Sequence, residues 1–120
     1  MKNKYDLEKR TETFAIAIRK NLKALEKNII NWDDVKQVIR SSGSIGANYV
    51  EANDGFSDKD FEYRIKICRK EAKETVYWLR VILVQEEEQV RINELEIEAQ
   101  ELTNIFGAIL RNFRNKRQNK

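Results

Sequence analysis

A 3-4 spacing of apolar residues, uninterrupted by proline, is the feature that most constrains how this chain can fold. Residues that alternate at three and four positions lie on one face of an α-helix. Proline breaks helices and none occurs among the 120 residues, so we expect long helices joined by short turns. Four such stretches predict helices over about residues 6–28, 33–54, 58–86 and 94–114.

Each predicted helix presents one apolar face, and the four faces supply a candidate core. The first helix contributes Leu7, Phe14, Ile18, Leu22, Leu25 and Ile29. The second contributes Val35, Val38, Ser42, Ile45, Tyr49 and Ala52. The third contributes Phe61, Ile65, Cys68, Ala72, Thr75, Leu79 and Ile82. The fourth contributes Leu95, Ala99, Leu102, Phe106, Ile109 and Phe113.

The predicted connections, near residues 29–32, 54–57 and 86–93, are short. Short connections favour antiparallel neighbours. The sequence therefore predicts an all-α protein, a single domain over residues 1–120 that forms an antiparallel up-down-up-down four-helix bundle. Its C-terminus, residues 111–120, is a short basic tail.

Several classes of site lack the residues that they require. Cys68 is the one cysteine and histidine is absent, which excludes an intramolecular disulfide and a zinc site. Cys68 itself falls on the core spacing, as a small buried apolar residue. No activated nucleophile is evident, so we expect no enzymatic activity, no metal and no cofactor. The polar N-terminus and the lack of an apolar run of about 20 residues predict a cytoplasmic protein without a membrane span.

The stretch RSSGSIGANYVEANDGFSDKDF, residues 40–61, concentrates small residues in the second predicted helix. Its composition is that of a phosphate-binding loop, but neither the P-loop nor the dinucleotide-binding glycine pattern is present. The helical spacing also runs through it without a break. Glycines on a helix let a neighbouring backbone approach, although each costs about 1 kcal/mol in helix propensity. We therefore interpret Gly43 and Gly46 as close-packing positions.

The same stretch combines small and polar residues in a distinctive pattern. The pattern consists of Arg40, Ser41, Ser44, Ile45, Gly46, Ala47, Asn48, Glu51, Ser57, Asp60 and Phe61. Together with YDLEKRTETFA near the N-terminus and KEAKETVYWLRVI at residues 70–82, it resembles the four-helix bundle proteins, also called the intervening-sequence protein family. Some members are encoded in insertions within bacterial large-subunit ribosomal RNA genes. The resemblance covers essentially the whole chain.

The resemblance implies an antiparallel four-helix protomer that assembles into a homopentamer. For most members it implies no established activity. A distant branch serves as the accessory protein of diversity-generating retroelements, in which a basic pentamer works with a reverse transcriptase and its RNA. The candidate partners are therefore further copies of this chain, RNA or DNA, and a nucleic-acid enzyme.

Eight residues are candidates for a structural motif: Arg40, Ser41, Gly43, Ser44, Gly46, Asn48, Glu51 and Asp60. The polar members need partners if they are buried, because an unpaired buried polar group is costly. A polar network between the second and third helices would satisfy them. One arrangement pairs Arg40 with Glu51 or Asp60.

Apolar residues also lie beside the main face of each helix: Ile16, Ala17, Ile39, Val50, Tyr77, Trp78, Val81, Ile105 and Leu110. Faces that are wider than a monomer requires favour self-association. The alternative is that these residues widen the core of a monomer.

Two basic features are candidates for nucleic-acid binding, because lysine and arginine neutralise phosphates. The candidate residues are Lys66, Arg69, Lys70, Lys73 and Arg80 on the third helix, and Arg111, Arg114, Lys116, Arg117 and Lys120 in the tail. The alternatives are a solvated helix face with Glu62–Lys66 and Lys70–Glu74 pairs, and an ordinary frayed C-terminus. The acidic segment at residues 86–101 could bind a basic partner or a neighbouring subunit.

Two functions remain open. The first is a non-enzymatic homo-oligomeric scaffold that binds RNA, other nucleic acid or a nucleic-acid enzyme through its basic surfaces. The second is a structural protein-interaction module that recruits a protein partner without nucleic acid.

Overall fold

The computed structural model describes residues 4–119 and contains four helices: α1 (Lys4–Lys23), α2 (Trp32–Asn53), α3 (Asp58–Val81) and α4 (Glu86–Gln118). Each helix contacts the next one along the chain, and α1 closes the bundle against α4. The bundle measures 52 × 22 × 21 Å. Its long dimension matches the length of α4, about 50 Å at 1.5 Å per residue. The predicted all-α four-helix bundle is confirmed.

Side-chain pairs along the interfaces show that neighbouring helices are antiparallel. Between α2 and α3, Ser41 contacts Thr75 and Asn48 contacts Arg64, so the partner's number falls as the first number rises. The same reversal holds between α3 and α4, and between α1 and both of its neighbours. The four helices therefore follow one another around the bundle in up-down-up-down order.

The core is built from the apolar faces that the spacing predicts. From α2, all six predicted residues are buried, and the ring of Tyr49 meets Phe106 of α4 edge-on with centroids 5.5 Å apart. Phe61, Ile109 and Phe113, at one end of the α3–α4 pair, are partly buried. Burial also extends to three apolar residues outside the predicted faces: Val76, Ile92 and Leu110.

The first helix ends earlier than predicted. α1 stops at Lys23 rather than near residue 28, because two asparagines organise residues 24–31 as a loop. Asn28 Oδ1 accepts hydrogen bonds from two backbone N–H groups, and the buried Asn31 side chain bonds to backbone groups inside the loop. Such side-chain bonds compete with helical hydrogen bonds. Ile29 is thereby 96% exposed, although the spacing places it in the core.

The third connection is shorter than predicted, because α3 ends at Val81 and α4 already begins at Glu86. Ile82 leaves α3 with an extended backbone but remains buried. Gln85 and Glu88 then form a capping box, in which the Gln85 N–H donates to Glu88 Oε1 at 3.0 Å. The acidic first turn also suits the positive end of the helix dipole. The segment predicted as a connection over residues 86–93 is therefore helical.

The C-terminal segment is part of α4 rather than a free tail, since the helix continues to Gln118 instead of ending near residue 114. Phe113 packs on Phe61 of α3 with ring centroids 5.0 Å apart. Arg114 and Arg117 of α4 also bind Glu62 of α3. These contacts hold the last turns of α4 against the bundle.

Gly43 and Gly46 of the small-residue stretch lie within α2 and face α1. A Cβ at position 46 would lie 2.8 Å from Oγ1 of Thr11, and a Cβ at position 43 would lie 3.0 Å from Nη2 of Arg19. Close packing of α1 therefore accounts for glycine at position 46, whereas position 43 adjoins only the end of a flexible side chain. The turn at residues 54–57 ends where Ser57 Oγ accepts the N–H of Asp60 at 3.1 Å and caps α3.

Candidate nucleic-acid interface

The basic residues of α3 lie on the outer side of the bundle. Lys66, Lys70, Lys73 and Tyr77 are spaced by four, three and four residues, which places them along one face of the helix. All four side chains are exposed. The amphipathic pattern of α3 thus determines the position of the site, because the opposite face is fixed in the core.

These residues line a groove with a volume of about 480 Å³, which we call the α3 groove. The other lining residues are Arg69, Glu74 and Trp78 of α3, and Leu110 of α4. Arg69 lies beside Gly107 of α4, where a Cβ would be 3.8 Å from Arg69 Nε. Arg69 therefore packs against α4 at Gly107, where an added Cβ would make an ordinary van der Waals contact.

Most cations of the α3 groove are not neutralised by the protein. Within the part of the chain that the structure describes, Arg69, Lys70 and Lys73 form no ion pair. Lys66 Nζ is 4.0 Å from Glu62, a carboxylate that two arginines already bind. The predicted alternative, a face neutralised by Glu62–Lys66 and by a Lys70–Glu74 pair, is therefore at most partly realised.

The one acidic residue in the α3 groove, Glu74, is compensated from α2. Arg40 donates to Glu74 at 2.9 Å and to the buried Glu71 at 3.1 Å. The pairing of Arg40 with Glu51 or Asp60, considered from the sequence, is thus wrong. In the antiparallel α2–α3 pair, residue 40 faces the middle of α3, whereas Glu51 lies about 16 Å farther along α2. Asp60 is in the first turn of α3.

The other motif residues form separate pairs rather than one polar network. Asn48 Nδ2 donates to the backbone oxygen of Ser44 at 2.8 Å, and its Oδ1 accepts from Arg64 at 2.9 Å. The buried Ser41 Oγ accepts from Thr75 at 2.8 Å. The exposed members are Glu51 and Asp60. The motif therefore joins α2 to α3 at several points along their length.

The remaining candidate cations lie outside the α3 groove, and three of them are paired. Arg80 Nε donates to Glu96 at 2.6 Å. Arg114 Nε and Arg117 Nη1 each contact one carboxylate oxygen of Glu62, at 2.8 and 2.6 Å. Each of these arginines retains free N–H donors, but a carboxylate already offsets part of its charge, so it attracts a phosphate less than an unpaired cation does.

Glu62 is the carboxylate that fixes the end of α4. The hydrogen bond from Arg114, followed by that from Arg117, holds the pKa of Glu62 below its ordinary value. Arg111 and Lys116 are exposed, and neither forms an ion pair with a described residue. Lys120 lies outside the described residues.

An aromatic pair forms one wall of the α3 groove. The Tyr77 ring is 57% exposed and meets Trp78 at 76°, with centroids 5.0 Å apart. Trp78 is partly buried, and its Nε1 is the buried side-chain polar atom that lacks a hydrogen-bond partner among the described residues. The groove thus combines a cationic stripe with an exposed aromatic face.

Two features of the candidate site lie outside the candidate residues that the sequence supplies. The apolar pattern places Tyr77 beside the main face of α3, and its spacing from Lys70 and Lys73 places it on the cationic face as well. The role of Glu62 depends on Arg114, which lies 52 residues later. No local pattern in the sequence reports such a contact.

The described residues include few groups that could form another kind of site. No group of three or more potential ligands among residues 4–119 is placed to hold a metal ion. Cys68 is buried, its thiol donates to the backbone oxygen of Ile45 at 3.4 Å, and burial raises its pKa to about 12. Within the described residues, no helix is both long and apolar enough to cross a membrane.

Comparisons with known proteins agree with the fold and with the resemblance noted in the sequence. A family model described as 23S rRNA-intervening sequence protein matches residues 3–108. The chain is also similar to a Bacteroides thetaiotaomicron protein whose crystal structure is described as a protein with unknown function from the S23 ribosomal protein family. The two share 29% identity and a TM-score of 0.72, over 86% of this chain and 96% of that one. No curated protein matches the chain.

Proposed function

This chain belongs to the 23S rRNA-intervening sequence protein family, and we propose that it is a non-enzymatic homo-oligomeric scaffold that binds RNA through the α3 groove. The observation that carries the proposal is the set of groove cations, Arg69, Lys70 and Lys73, that have no carboxylate partner among the described residues. The family description refers to intervening sequences of 23S rRNA, which makes RNA the first ligand to test.

Unpaired cations are better suited to phosphate binding than paired ones. A lysine or arginine that binds a phosphate releases counterions, and this release drives much of nucleic-acid affinity. Arg69, Lys70 and Lys73 can do this without breaking a protein ion pair. Glu62 offsets part of the charge of Arg114 and Arg117, which weakens their attraction for a phosphate. We therefore assign the principal contacts to α3 rather than to the end of α4.

Binding of RNA can be tested by fluorescence anisotropy with a labelled single-stranded RNA. The test variant replaces Arg69, Lys70 and Lys73 by glutamine. A control variant replaces three exposed lysines of α1 by glutamine and changes the net charge equally: Lys9, Lys20 and Lys23. We expect the groove variant to lose most of its affinity and the control to retain it. Equal loss in both variants, or no loss in either, would contradict a localised site.

Self-association is the second part of the proposal, and the family resemblance makes a homopentamer its proposed form. Val90 and Ile97 lie seven residues apart on α4 and are exposed, as is Ile16 of α1. Contact between copies would remove such apolar surface from water. Light scattering should give a mass several times the 14.3 kDa of one chain. A monomer at micromolar concentration would contradict a stable assembly.

A second candidate function, recruitment of a protein partner, is favoured by one end of the bundle. The α1–α2 and α3–α4 connections enclose a cleft of about 390 Å³ that includes Ile30, Leu83 and Glu88. Ile29, beside it, is almost fully exposed. The cleft has a mixed lining that includes Glu26 and Glu88, and exposed isoleucines stand at this end of the bundle, so it suits a partner segment that is apolar and basic.

This alternative is distinguished by variants at the two sites. If it is correct, a protein should remain bound after nuclease treatment, be lost when Ile29 and Leu83 are replaced by aspartate, and be retained by the groove variant. Loss of the partner on nuclease treatment would instead assign the association to nucleic acid.

A further inference from the structure

We infer that the α3 groove is specific for single-stranded nucleic acid, one base of which stacks on the exposed face of Tyr77. The inference rests on the proposed function and adds the form of the ligand. Proteins that bind single strands combine a positive groove along the phosphates with aromatic side chains on which bases stack. The α3 groove contains both components on one helix face.

The cations and the ring are arranged in series. Lys73 and Lys70 precede Tyr77 by four and seven residues, about 6 and 10 Å along the helix axis, and Lys66 lies about 16 Å away. A strand that places a base on Tyr77 and runs toward the N-terminus of α3 would pass each lysine in turn. Arg69, beside α4, is a further phosphate contact at the edge of this path.

The Tyr77 ring is a suitable platform because it is both accessible and supported. More than half of its surface is exposed, while Trp78 packs against it nearly at a right angle. A supported ring loses little further freedom when a base binds, so less of the stacking energy is offset by ordering. Every base has a π-face, which makes such stacking tolerant of sequence.

A double helix does not meet these requirements. Its bases are stacked on one another and expose only their edges in the grooves, so that no base face is available to Tyr77. A duplex could contact the lysines through its phosphates alone. The α3 groove should therefore prefer a single strand to a duplex of the same sequence.

The experiment compares a labelled oligoadenylate with the same strand paired to oligouridylate. The variants are Tyr77→Leu, Tyr77→Phe and the control Tyr63→Leu. Tyr63 is on the same helix, is 59% exposed and does not line the groove. We expect wild type to bind the single strand more tightly than the duplex. Tyr77→Leu should weaken single-strand binding by about 5- to 150-fold, the effect of losing one stacked base, with little change for the duplex. Tyr77→Phe and Tyr63→Leu should bind like wild type.

The outcomes separate this inference from the function on which it rests. Equal affinity for both forms, together with no effect of Tyr77→Leu, overturns the stacking site, while the groove variant can still show loss of phosphate contacts. Failure of wild type to bind either form overturns the proposed function itself. Loss of binding in Tyr63→Leu equal to that in Tyr77→Leu also overturns the assignment of stacking to Tyr77.

A fluorescence measurement provides a second readout that does not depend on affinity. The chain has two tryptophans, and replacing Trp32 by phenylalanine leaves Trp78, beside the proposed stacking site, as the single indole. Oligoadenylate should change Trp78 emission in this variant. An unchanged emission spectrum at saturating oligoadenylate would place the strand elsewhere.

Discussion

Gly46 of α2 lies so close to Thr11 of α1 that a Cβ on residue 46 would stand 2.8 Å from Thr11 Oγ1. Thr11 cannot easily move aside, because it is buried and its hydroxyl donates to the backbone oxygen of Glu8 at 2.9 Å. Gly43, one turn earlier, meets only the end of the Arg19 side chain. Gly46 is therefore constrained by a buried neighbour, whereas Gly43 adjoins a side chain that can shift.

Alanine at these positions should have opposite effects on stability. Alanine gains about 1 kcal/mol of helix propensity over glycine. At residue 46 overpacking, which typically costs about 1–3 kcal/mol, should exceed this gain, so Gly46→Ala should lower the free energy of unfolding. At residue 43 the exposed guanidinium of Arg19 can shift, so Gly43→Ala should stabilise by up to about 1 kcal/mol. Urea denaturation measures both, and equal stability of the two variants would contradict the close contact.

Arg40 should be important for stability because it binds the buried Glu71. Replacing Arg40 by methionine leaves that carboxylate without its partner, at an expected cost of about 1–3 kcal/mol. Glu74→Gln is the control, since the pair between Arg40 and Glu74 is more exposed and should be worth less than about 1 kcal/mol. Combining Arg40→Met with Glu71→Gln should recover part of the loss. A single variant Arg40→Met as stable as wild type would show that Glu71 finds another partner.

The unpaired indole N–H of Trp78 should lower the free energy of unfolding, and replacing Trp78 should remove this penalty. Its buried indole N–H has no acceptor among the described residues, and an unsatisfied buried donor costs about 1–3 kcal/mol. Trp78→Phe removes the donor and keeps an aromatic ring, so the lost packing should be largely offset. We expect thermal unfolding to show little or no loss of stability. A large drop in Tm would indicate that the N–H is hydrogen-bonded.

The end of α4 should be sensitive to acid. The pKa of Glu62 is lowered by Arg114 and then Arg117, so the folded state favours its ionised form. The resulting stabilisation is complete above the ordinary glutamate pKa, about 4.3, and is lost as the pH falls through the lowered value. The protection factors of the amides near residues 114–118, which are corrected for the intrinsic pH dependence of hydrogen exchange, should therefore fall in this acid range. Glu62→Gln should show the lower protection already at neutral pH, and identical pH profiles would contradict the role of Glu62.

The apolar spacing predicted the fold because apolar residues spaced by three and four positions share one helix face, and this face is buried in the bundle. The α2 face from Val35 to Ala52 is buried throughout, even where it crosses the small-residue stretch. The helix ends were less predictable, since they depend on individual side-chain bonds. Asn28 and Asn31 end the first helical pattern early, and the Gln85–Glu88 capping box starts α4 within a run that resembles a polar loop.

The sequence predicts only part of the candidate site. The helical spacing of Lys66, Lys70 and Lys73 indicates that they share a face. The sequence does not show which candidate cations lack a carboxylate partner, because such partners are distant in sequence. Glu62, for example, binds Arg114. The pairing of Arg40 with Glu71 and Glu74 is not predictable from the sequence either, because it depends on the antiparallel register of α2 and α3. Nucleic-acid binding and the pentamer remain predictions.

The salt dependence of RNA binding tests the α3 groove most directly. For single strands, the slope of log K against log[salt] is about −0.7 per neutralised phosphate. Replacing Arg69, Lys70 and Lys73 by glutamine should therefore reduce the magnitude of the slope by about 2. The Lys9, Lys20 and Lys23 control should leave the slope unchanged. Identical slopes for wild type and the groove variant, or binding that is indifferent to salt, would contradict phosphate recognition by the α3 groove.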